Sequence, residues 1–217
     1  MDTKVLHWVD GLVGRYPALG KCREDIVKAY SLLEETYDAG GKLLICGNGG
    51  SASDAQHIVG ELMKGFTKRR ALSEGEKQAL READPVRGEL LASRLQGSLP
   101  AIALGAGEAI VTAVANDNDP SLVFAQQVQG YGKSGDALLG ITTSGNSENI
   151  LCAAVAAKAK GLKVIALTGV GGGALATLSD VAIKVPEKET YKVQELHLPV
   201  YHCLCSMIEE HFWFDIC

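Results

Sequence analysis

Two apolar segments of this chain each run directly into a glycine- and hydroxyl-rich turn that precedes a helical pattern. Residues 42–46 (KLLIC) lead into residues 47–51 (GNGGS), and residues 137–141 (ALLGI) lead into residues 142–147 (TTSGNS). A turn of this kind places unpaired backbone N–H groups at the positive end of a helix, where phosphate or another small anion binds. Two such turns therefore predict a strand–turn–helix fold that holds a phosphorylated small molecule.

The composition excludes several classes of protein. The 217 residues are 47% hydrophobic and 22% charged, with a net charge of -5, which argues against a general nucleic-acid binder. No segment reaches the roughly 18 consecutive apolar residues of a membrane span, and residues 1–8 lack the features of a secretion signal. The six cysteines are scattered among apolar neighbours and are predicted to be buried free thiols. We therefore expect a cytoplasmic protein with no membrane or nucleic-acid partner.

Further apolar runs alternate with helical patterns along most of the chain. Strands are expected at residues 42–46, 100–104, 137–142, 163–168 and 181–185, and helices at residues 51–66, 106–115, 121–131, 147–160, 172–179 and 190–213. Most of these strands are continuous apolar runs, as expected for parallel strands that are covered on both faces. With right-handed crossovers, the pattern predicts an α/β fold, a doubly wound three-layer sandwich with a five-stranded parallel sheet.

Two regions lie outside this alternation. Residues 1–40 contain helical patterns at 2–14 and 18–39, and the second carries an apolar stripe of the kind that often packs on another subunit. Residues 67–98 are highly charged, begin with the basic run TKRR, and contain a helix-start signal at Ser73. They are far too long for an ordinary connection in a βαβ unit. They predict a helical insertion that is either a solvated decoration or a lid or interface element.

The second turn gives the stronger signal for anion binding. Four hydroxyl groups fall within six residues, at Thr142, Thr143, Ser144 and Ser147, and Gly145 permits close approach of the backbone. A single hydroxyl before a helix is simply a cap, and Ser147 stands where an N-cap belongs. Four hydroxyls at one strand end instead predict a phosphate site. The site is not a P-loop, because no lysine follows the glycines.

The other chemically notable residues are histidines and carboxylates on two predicted helices. His57 and Glu61 are four residues apart and share one helix face. Such a pair can bind a divalent metal, can place a carboxylate base, or can be an exposed pair with no further role. On the last helix, His197 is expected to be a satisfied structural histidine and residues 209–211 a solvated end. A turn suffices to explain residues 118–119.

Taken in order, several segments resemble the sugar isomerase (SIS) family and, within it, the sedoheptulose 7-phosphate isomerases, also called phosphoheptose isomerases. The segments are residues 47–57, 116–117, 138–147, 167–169 and 194–202. The resemblance covers nearly the whole chain except residues 67–98. It implies a single SIS domain over residues 1–217.

The resemblance also implies a homotetramer with active sites at subunit interfaces and, in many members, a bound zinc ion. The residues that would contact the sugar phosphate are Asn48, Gly49, Gly50, Ser51, Glu61, Asn116, Asp117, Thr142, Thr143, Ser144, Ser147 and Gln194. The zinc ligands would be His57, Glu61, Gln194 and His202.

The implied reaction converts sedoheptulose 7-phosphate to D-glycero-D-manno-heptose 7-phosphate, for the synthesis of nucleotide-activated heptose. A proton moves between C1 and C2 through an enediolate, with Glu61 as the base and His202 as the acid at the carbonyl oxygen. A metal near that oxygen would stabilise its negative charge. Two alternatives stay open: an SIS isomerase for another phosphosugar, and a non-catalytic SIS regulator or scaffold of the kind seen in the replication-initiator-associating proteins.

Some features depart from the family pattern. Thr142 stands where close relatives usually carry Ser, which keeps the hydroxyl, and Tyr191 stands where they often carry Asp, which bears on substrate preference. The insertion could cover or reshape the sugar site. Gln194 and His202 are eight residues apart, about 12 Å along one helix axis at 1.5 Å per residue. To reach one metal, they would need convergent side chains or a helix break near Pro199.

Overall fold

The computed structural model describes residues 5–213, which are built around one five-stranded sheet. The strands are β1 (Leu43–Gly47), β2 (Ala101–Ala103), β3 (Ala137–Ile141), β4 (Lys163–Thr168) and β5 (Val181–Lys184). Their order across the sheet is β2-β1-β3-β4-β5, and every neighbouring pair is parallel. β1 and β3 are buried along their whole length, as their continuous apolar sequences predict.

Helices cover both faces of the sheet. They are α1 (Leu6–Arg15), α2 (Arg23–Asp38), α3 (Gly50–Met63), α4 (Glu74–Ala83), α5 (Pro85–Arg94), α6 (Glu108–Asp117), α7 (Val123–Tyr131), α8 (Glu148–Ala159), α9 (Gly173–Leu178) and α10 (Thr190–Phe212). One core holds α1, α2, α3 and α10 against the sheet, and a second core holds α6 to α9 on the opposite face. The predicted doubly wound, three-layer α/β sandwich is therefore confirmed. None of these helices combines the length and hydropathy needed to cross a bilayer.

The apolar stripe of α2 packs inside its own chain. Ile26, Ala29, Tyr30 and Leu33 are buried, and α2 lies against β5 and α10. The prediction that this stripe packs on another subunit is therefore wrong. The reason is that the β4–β5 half of the sheet needs a covering layer on this face, and α2 supplies it.

The insertion is helical, as predicted. A capping box between Ser73 and Glu76 begins α4, and the side chain of Asp84 caps α5. The two helices pack mainly against each other, so most of the insertion forms a helical hairpin beside the sandwich.

A fully buried ion pair anchors the start of the insertion to the rest of the chain. Arg70 Nε donates to Glu209 Oε1 at 2.8 Å, and both side chains are 0% exposed. Glu209 also accepts hydrogen bonds from the backbone N–H groups of residues 66–68. The guanidinium of Arg70 donates to the carbonyls of Leu62 and Glu61. The pair thus ties the end of α3 to the end of α10 and satisfies the polar groups that it buries.

One prediction for α10 is wrong in part. Glu209 and Glu210 are buried and do not form a solvated end, because the segment that carries Lys68 and Arg70 folds over them. His197 is buried, as predicted, and the backbone of Thr168 is a polar neighbour of its ring, although no contact of the ring nitrogens within residues 5–213 has good hydrogen-bond geometry. Burial lowers the pKa of His197 to about 4, so the ring is neutral at physiological pH.

The cysteines that the structure describes are free, as predicted. Cys22, Cys46, Cys203 and Cys205 are buried and Cys152 is partly exposed, whereas Cys217 lies outside the described residues. Burial raises the pKa of Cys46 to about 12, so this thiol stays protonated and packs as a small apolar group.

Replacing Glu209 with Gln would leave the Arg70 guanidinium buried without a counter-charge. We expect the free energy of unfolding to fall by about 3–5 kcal/mol, the usual cost of breaking a buried pair from one side. Urea denaturation followed by circular dichroism measures this change. The control is Asp10→Asn, which removes an exposed ion pair with Arg23 and should cost less than about 1 kcal/mol. Equal losses in the two variants would contradict the anchoring role.

Candidate functional site

The two predicted anion-binding turns meet at the carboxyl end of the sheet. After β1 the chain continues toward one edge of the sheet, to β2, and after β3 it continues toward the other edge, to β4. The turns that follow β1 and β3 therefore diverge and leave a crevice between them. A cavity of about 140 Å³ lies there. It is lined by Asn48, Ser51, Ile141, Thr142, Thr143, Ser147, Thr190 and Gln194. Its size suits a phosphate group and is too small for a whole sugar phosphate.

Hydroxyl groups of the second turn face this cavity. Thr142 Oγ1 and Ser147 Oγ lie 3.0 Å apart, and Ser147 makes no capping hydrogen bond although it occupies the N-cap position of α8. Among the N–H groups of residues 144–148, only that of Asn146 has a partner in the described part of the chain, the hydroxyl of Ser144. Donors are therefore left for anion oxygens at the positive end of α8. Ser144 itself is exposed and does not line the cavity.

The first turn contributes backbone and a small buried side chain. Gly49 precedes α3 with a φ of 55°, in the region that favours glycine, and Ser51 is buried at the cavity wall. A Cβ atom on Gly50 would lie 2.8 Å from Nε2 of Gln194. Glycine at this position therefore lets the amide of Gln194, on α10, approach the start of α3.

Further along the same two helices lies a cluster of titratable side chains. Nε2 of His57 is 3.1 Å from Oε1 of Glu61, and the ring centroids of His57 and His202 are 5.0 Å apart. Glu61 is largely buried, and Lys64 Nζ lies 3.3 Å from its second oxygen. Nε2 of His202 is buried without a partner in residues 5–213, and burial lowers the pKa of His202. The cluster offers a carboxylate base beside imidazoles, which suits the transfer of a proton.

Within one chain, the cluster and the phosphate-sized cavity are separate. None of His57, Glu61 and His202 lines the cavity. From Ser51 to Glu61 the axis of α3 advances about 15 Å, and from Gln194 to His202 the axis of α10 advances about 12 Å. Gln194 therefore lies with the cavity, whereas His202 lies with His57 and Glu61.

Three of the four predicted zinc ligands, His57, Glu61 and His202, lie close together in one chain, but Gln194 does not join them. The helix α10 is continuous through Pro199, so no break brings Gln194 toward His202. Among residues 5–213, no group of three or more His, Cys, Asp or Glu side chains is arranged to hold a metal ion. The donor types still suit zinc, and the unpartnered Nε2 of His202 is a free ligand atom.

Asn116 and Asp117 lie apart from both groups. They are exposed at the end of α6, where Asn116 Nδ2 donates to Asp117 Oδ1 at 2.8 Å. Neither lines the 140 Å³ cavity or the neighbouring cavity of about 350 Å³ at the ends of β1 and β2. Ala115, the residue before them, does line the larger cavity together with Asn48 and Gly49, so the end of α6 lies next to the first turn.

Several polar residues of this region, among them Asn149, Asp54 and Tyr201, were not predicted from the sequence. The side chains of Asn48 and Asn149 exchange two amide hydrogen bonds, of 3.0 and 2.9 Å, which link the two turns. Asp54 and Tyr201 hydrogen-bond beside His57. Helical spacing of Asp54 with His57 is the one signal in the sequence that could have indicated this contact.

Comparison with known proteins identifies the family. Residues 18–97 and 87–169 match the model of the SIS domain. The phosphoheptose isomerase of Rhodospirillum rubrum is 38% identical over 97% of this chain and 98% of its own length. The phosphoheptose isomerase of Helicobacter pylori strain P12 is 40% identical over 90% and 88%.

Solved structures agree with the sequence relatives. The phosphoheptose isomerase of Neisseria gonorrhoeae matches with a TM-score of 0.72 and 33% identity, over 94% of this chain and 95% of its own. The enzyme from Francisella tularensis matches with the same TM-score and identity, over 97% and 100%. The chain therefore belongs to the SIS domain family, in the branch that contains the phosphoheptose isomerases.

Proposed function

We propose that the protein is a cytoplasmic isomerase that converts sedoheptulose 7-phosphate to D-glycero-D-manno-heptose 7-phosphate. The observation that carries this proposal is the hydroxyl-lined, phosphate-sized cavity at the ends of β1 and β3, together with the carboxylate–imidazole cluster on α3 and α10. Relatives that match this chain over nearly its whole length are named phosphoheptose isomerases, which supports the same reaction.

The phosphate end of the substrate binds at the turn after β3. The hydroxyls of Thr142, Thr143 and Ser147 and the free N–H groups at the start of α8 donate hydrogen bonds to its oxygens. These contacts are remote from the reacting carbons. Their binding energy holds C1 and C2 in place, which lowers the entropic part of the barrier.

The proton transfer takes place at C1 and C2 of the open-chain ketose. Glu61 removes a proton from C1, and the electron pair of that C–H bond forms the C1–C2 double bond. The carbonyl oxygen on C2 takes a proton from His202, which gives the enediol. Return of the proton from Glu61 to C2, with transfer of the proton on the C1 oxygen to His202, leaves an aldehyde at C1, restores both side chains and gives no net change in atoms.

Zinc at this cluster is part of the proposal. His57, Glu61 and His202, together with Gln194, are the residues that would hold it. When bound, the ion would stabilise negative charge on the enediolate oxygen. The unpartnered Nε2 of His202 and the donor types of the cluster support the assignment.

Replacing one predicted ligand tests whether this cluster binds zinc. We expect His57→Ala to lose bound zinc, because an imidazole donor of the predicted set disappears, whereas Ser147→Ala, at the start of α8, should retain it. Elemental analysis of the purified variants measures the zinc per subunit. Equal zinc content in His57→Ala and the parent protein would show that His57 is not a ligand.

We further propose that a second copy of the chain completes the site, within a homotetramer. The separation of the cavity from Glu61 and His202 supports this assembly, since one subunit could present its cavity to the cluster of another. Exposed apolar side chains on α10 also support this assembly. Tyr191 and Leu198 are 57% and 41% exposed, and their helical spacing places them on the face that carries Gln194 and His202.

Mixing two inactive variants tests the shared site. Thr142→Val with Ser147→Ala damages only the phosphate cavity, and Glu61→Gln damages only the carboxylate–imidazole cluster. If each site combines residues of two subunits, mixed tetramers made by unfolding and refolding the two proteins together should regain part of the parent activity. Tetramers of either variant alone should stay inactive. No activity in mixed tetramers, confirmed by native mass spectrometry, would place both groups of one site in the same subunit.

Incubation of the purified protein with sedoheptulose 7-phosphate tests the function itself. We expect an aldose 7-phosphate product that is detectable by coupled assay and NMR, and we expect its loss in Glu61→Gln, because the base is gone. A panel of pentose, hexose and hexosamine phosphates serves as the substrate control. The proposal fails if no heptose product forms with or without added zinc, or if another phosphosugar is turned over much faster.

A further inference from the structure

The tip of the turn after β3 is held from outside the candidate site. Residues 144–146 form this tip and do not line the 140 Å³ cavity, although Thr143 and Ser147 on either side of it do. The tip lies instead against residues 169–172, which form the turn after β4, and against the start of α9. The contacts that hold the tip therefore also set the positions of the two residues that line the cavity.

Backbone hydrogen bonds fix two carbonyl groups of the turn after β3. The N–H of Gly169 donates to the carbonyl of Thr143 at 3.1 Å, and the N–H of Leu175 donates to the carbonyl of Gly145 at 3.0 Å. In a trans peptide unit, the N–H points opposite to the carbonyl. The N–H groups that follow these two carbonyls are therefore directed away from α9 and from the turn after β4.

The side chain of Asn146 adds a further link. Its Oδ1 accepts from the N–H of Ala174 at 3.0 Å, and its Nδ2 donates to the carbonyl of Ser144 at 3.1 Å. The backbone N–H of Asn146 donates to Oγ of Ser144, also at 3.1 Å. One amide side chain thus shapes the tip and fastens it to α9.

The contact also satisfies the start of α9. This helix has six residues, and its N-cap, Gly172, has no side chain to cap it. The N–H groups of Ala174 and Leu175 lie in its first turn, where they have no partner within the helix. Both donate to the tip of the turn after β3. These donors of α9 are therefore used to hold the turn, and the donors left for an anion are those at the start of α8.

Glycines let the two turns touch backbone to backbone. A Cβ atom on Gly145 would overlap the carbonyl oxygen of Gly172, and one on Gly173 would lie 2.6 Å from the carbonyl oxygens of Ser144 and Gly145. Gly173 also has a φ of 57°, in the region that favours glycine. By contrast, a Cβ atom on Gly171 would meet nothing within 4 Å. A side chain at position 173 would therefore push the tip away from α9, whereas one at position 171 would not.

We propose that Asn146 and Gly173 are positioning residues for anion binding. They hold residues 142–147 on the start of α9, in the shape that presents the hydroxyls and free N–H groups of this turn to a phosphate group. Neither residue lines the cavity. The inference rests on the proposed function for the identity of the substrate, but the affinity for inorganic phosphate is measured without it.

Binding of inorganic phosphate, followed by isothermal titration calorimetry, tests the positioning roles. Asn146→Ala removes the link to Ala174, and we expect the Kd of phosphate to rise about tenfold, an effect of the size of one or two net hydrogen bonds. Gly173→Ala adds backbone strain as well as the steric push, and we expect a rise of about ten- to a hundredfold.

Two variants serve as matched controls. Ser179→Ala removes a hydrogen bond to the carbonyl of Leu175 at the other end of α9, and Gly171→Ala adds a methyl group to the turn after β4 in open space. Both should leave the Kd of phosphate unchanged. A similar loss of affinity in Ser179→Ala and Asn146→Ala would show that the general stability of α9 matters, and not the contact with the tip.

Kinetics with sedoheptulose 7-phosphate separate positioning from folding. KM should rise in Asn146→Ala and Gly173→Ala by about the same factors as the Kd of phosphate, and kcat should fall less, because Glu61 and His202 are unchanged. Thermal melting of the unligated variants reports on folding. Asn146 is exposed, so Asn146→Ala is expected to fold even if Gly173→Ala does not.

The remaining outcomes are decisive as well. Folded Asn146→Ala protein with an unchanged Kd and KM would overturn the positioning role, and so would a loss of thermal stability with no change in affinity. If the parent protein binds neither phosphate nor a sugar phosphate, the inference and the anion site fall together. If the affinity for phosphate changes as expected while sedoheptulose 7-phosphate is not converted, the proposed substrate is wrong and the positioning roles stand.

Discussion

The buried ion pair of Arg70 and Glu209 determines how the two helices of the candidate site are held together. Removing two charges from water is costly, and the cost is offset here because every guanidinium nitrogen and both carboxylate oxygens have hydrogen-bond partners. One of the acceptors is the backbone carbonyl of Glu61. The backbone of Glu61, the proposed base, is therefore held through Arg70 to Glu209 on α10. The same helix carries His202.

Because α3 and α10 run side by side in the same direction, the groups that suit an anion lie at their starts, and the groups that suit proton transfer lie farther along them. Gly50 meets Gln194 near the start of both helices, where the positive ends of α3 and α8 favour an anion. His57 meets His202 two turns later, where a carboxylate and imidazoles can exchange a proton. The rigidity of helices keeps these ends apart. Assembly of subunits is therefore a natural way to bring an anion site and a proton-transfer site to one ligand.

The fold could be predicted from the sequence because its signals are local. Continuous apolar runs followed by small turns identified the strands, and the helix stripes identified most of the layers. Contacts between distant positions could not be predicted in this way. Arg70 and Glu209 each looked like part of a solvated charge run, yet they pair across the fold. In the site, Ser147 could be a cap or a ligand, and only the position of its hydroxyl beside Thr142 distinguishes the two.

The amide bridge between Asn48 and Asn149 holds the two turns of the candidate site together. Each side chain gives one hydrogen bond and receives one, so the two turns are already locked in register before any ligand arrives. Little reorganisation is then required when an anion enters. The bridge also makes the two positions interdependent, although they are far apart in the sequence. Replacing either asparagine with a residue that lacks an amide breaks both hydrogen bonds, so a substitution that restores the link between the turns must change both residues.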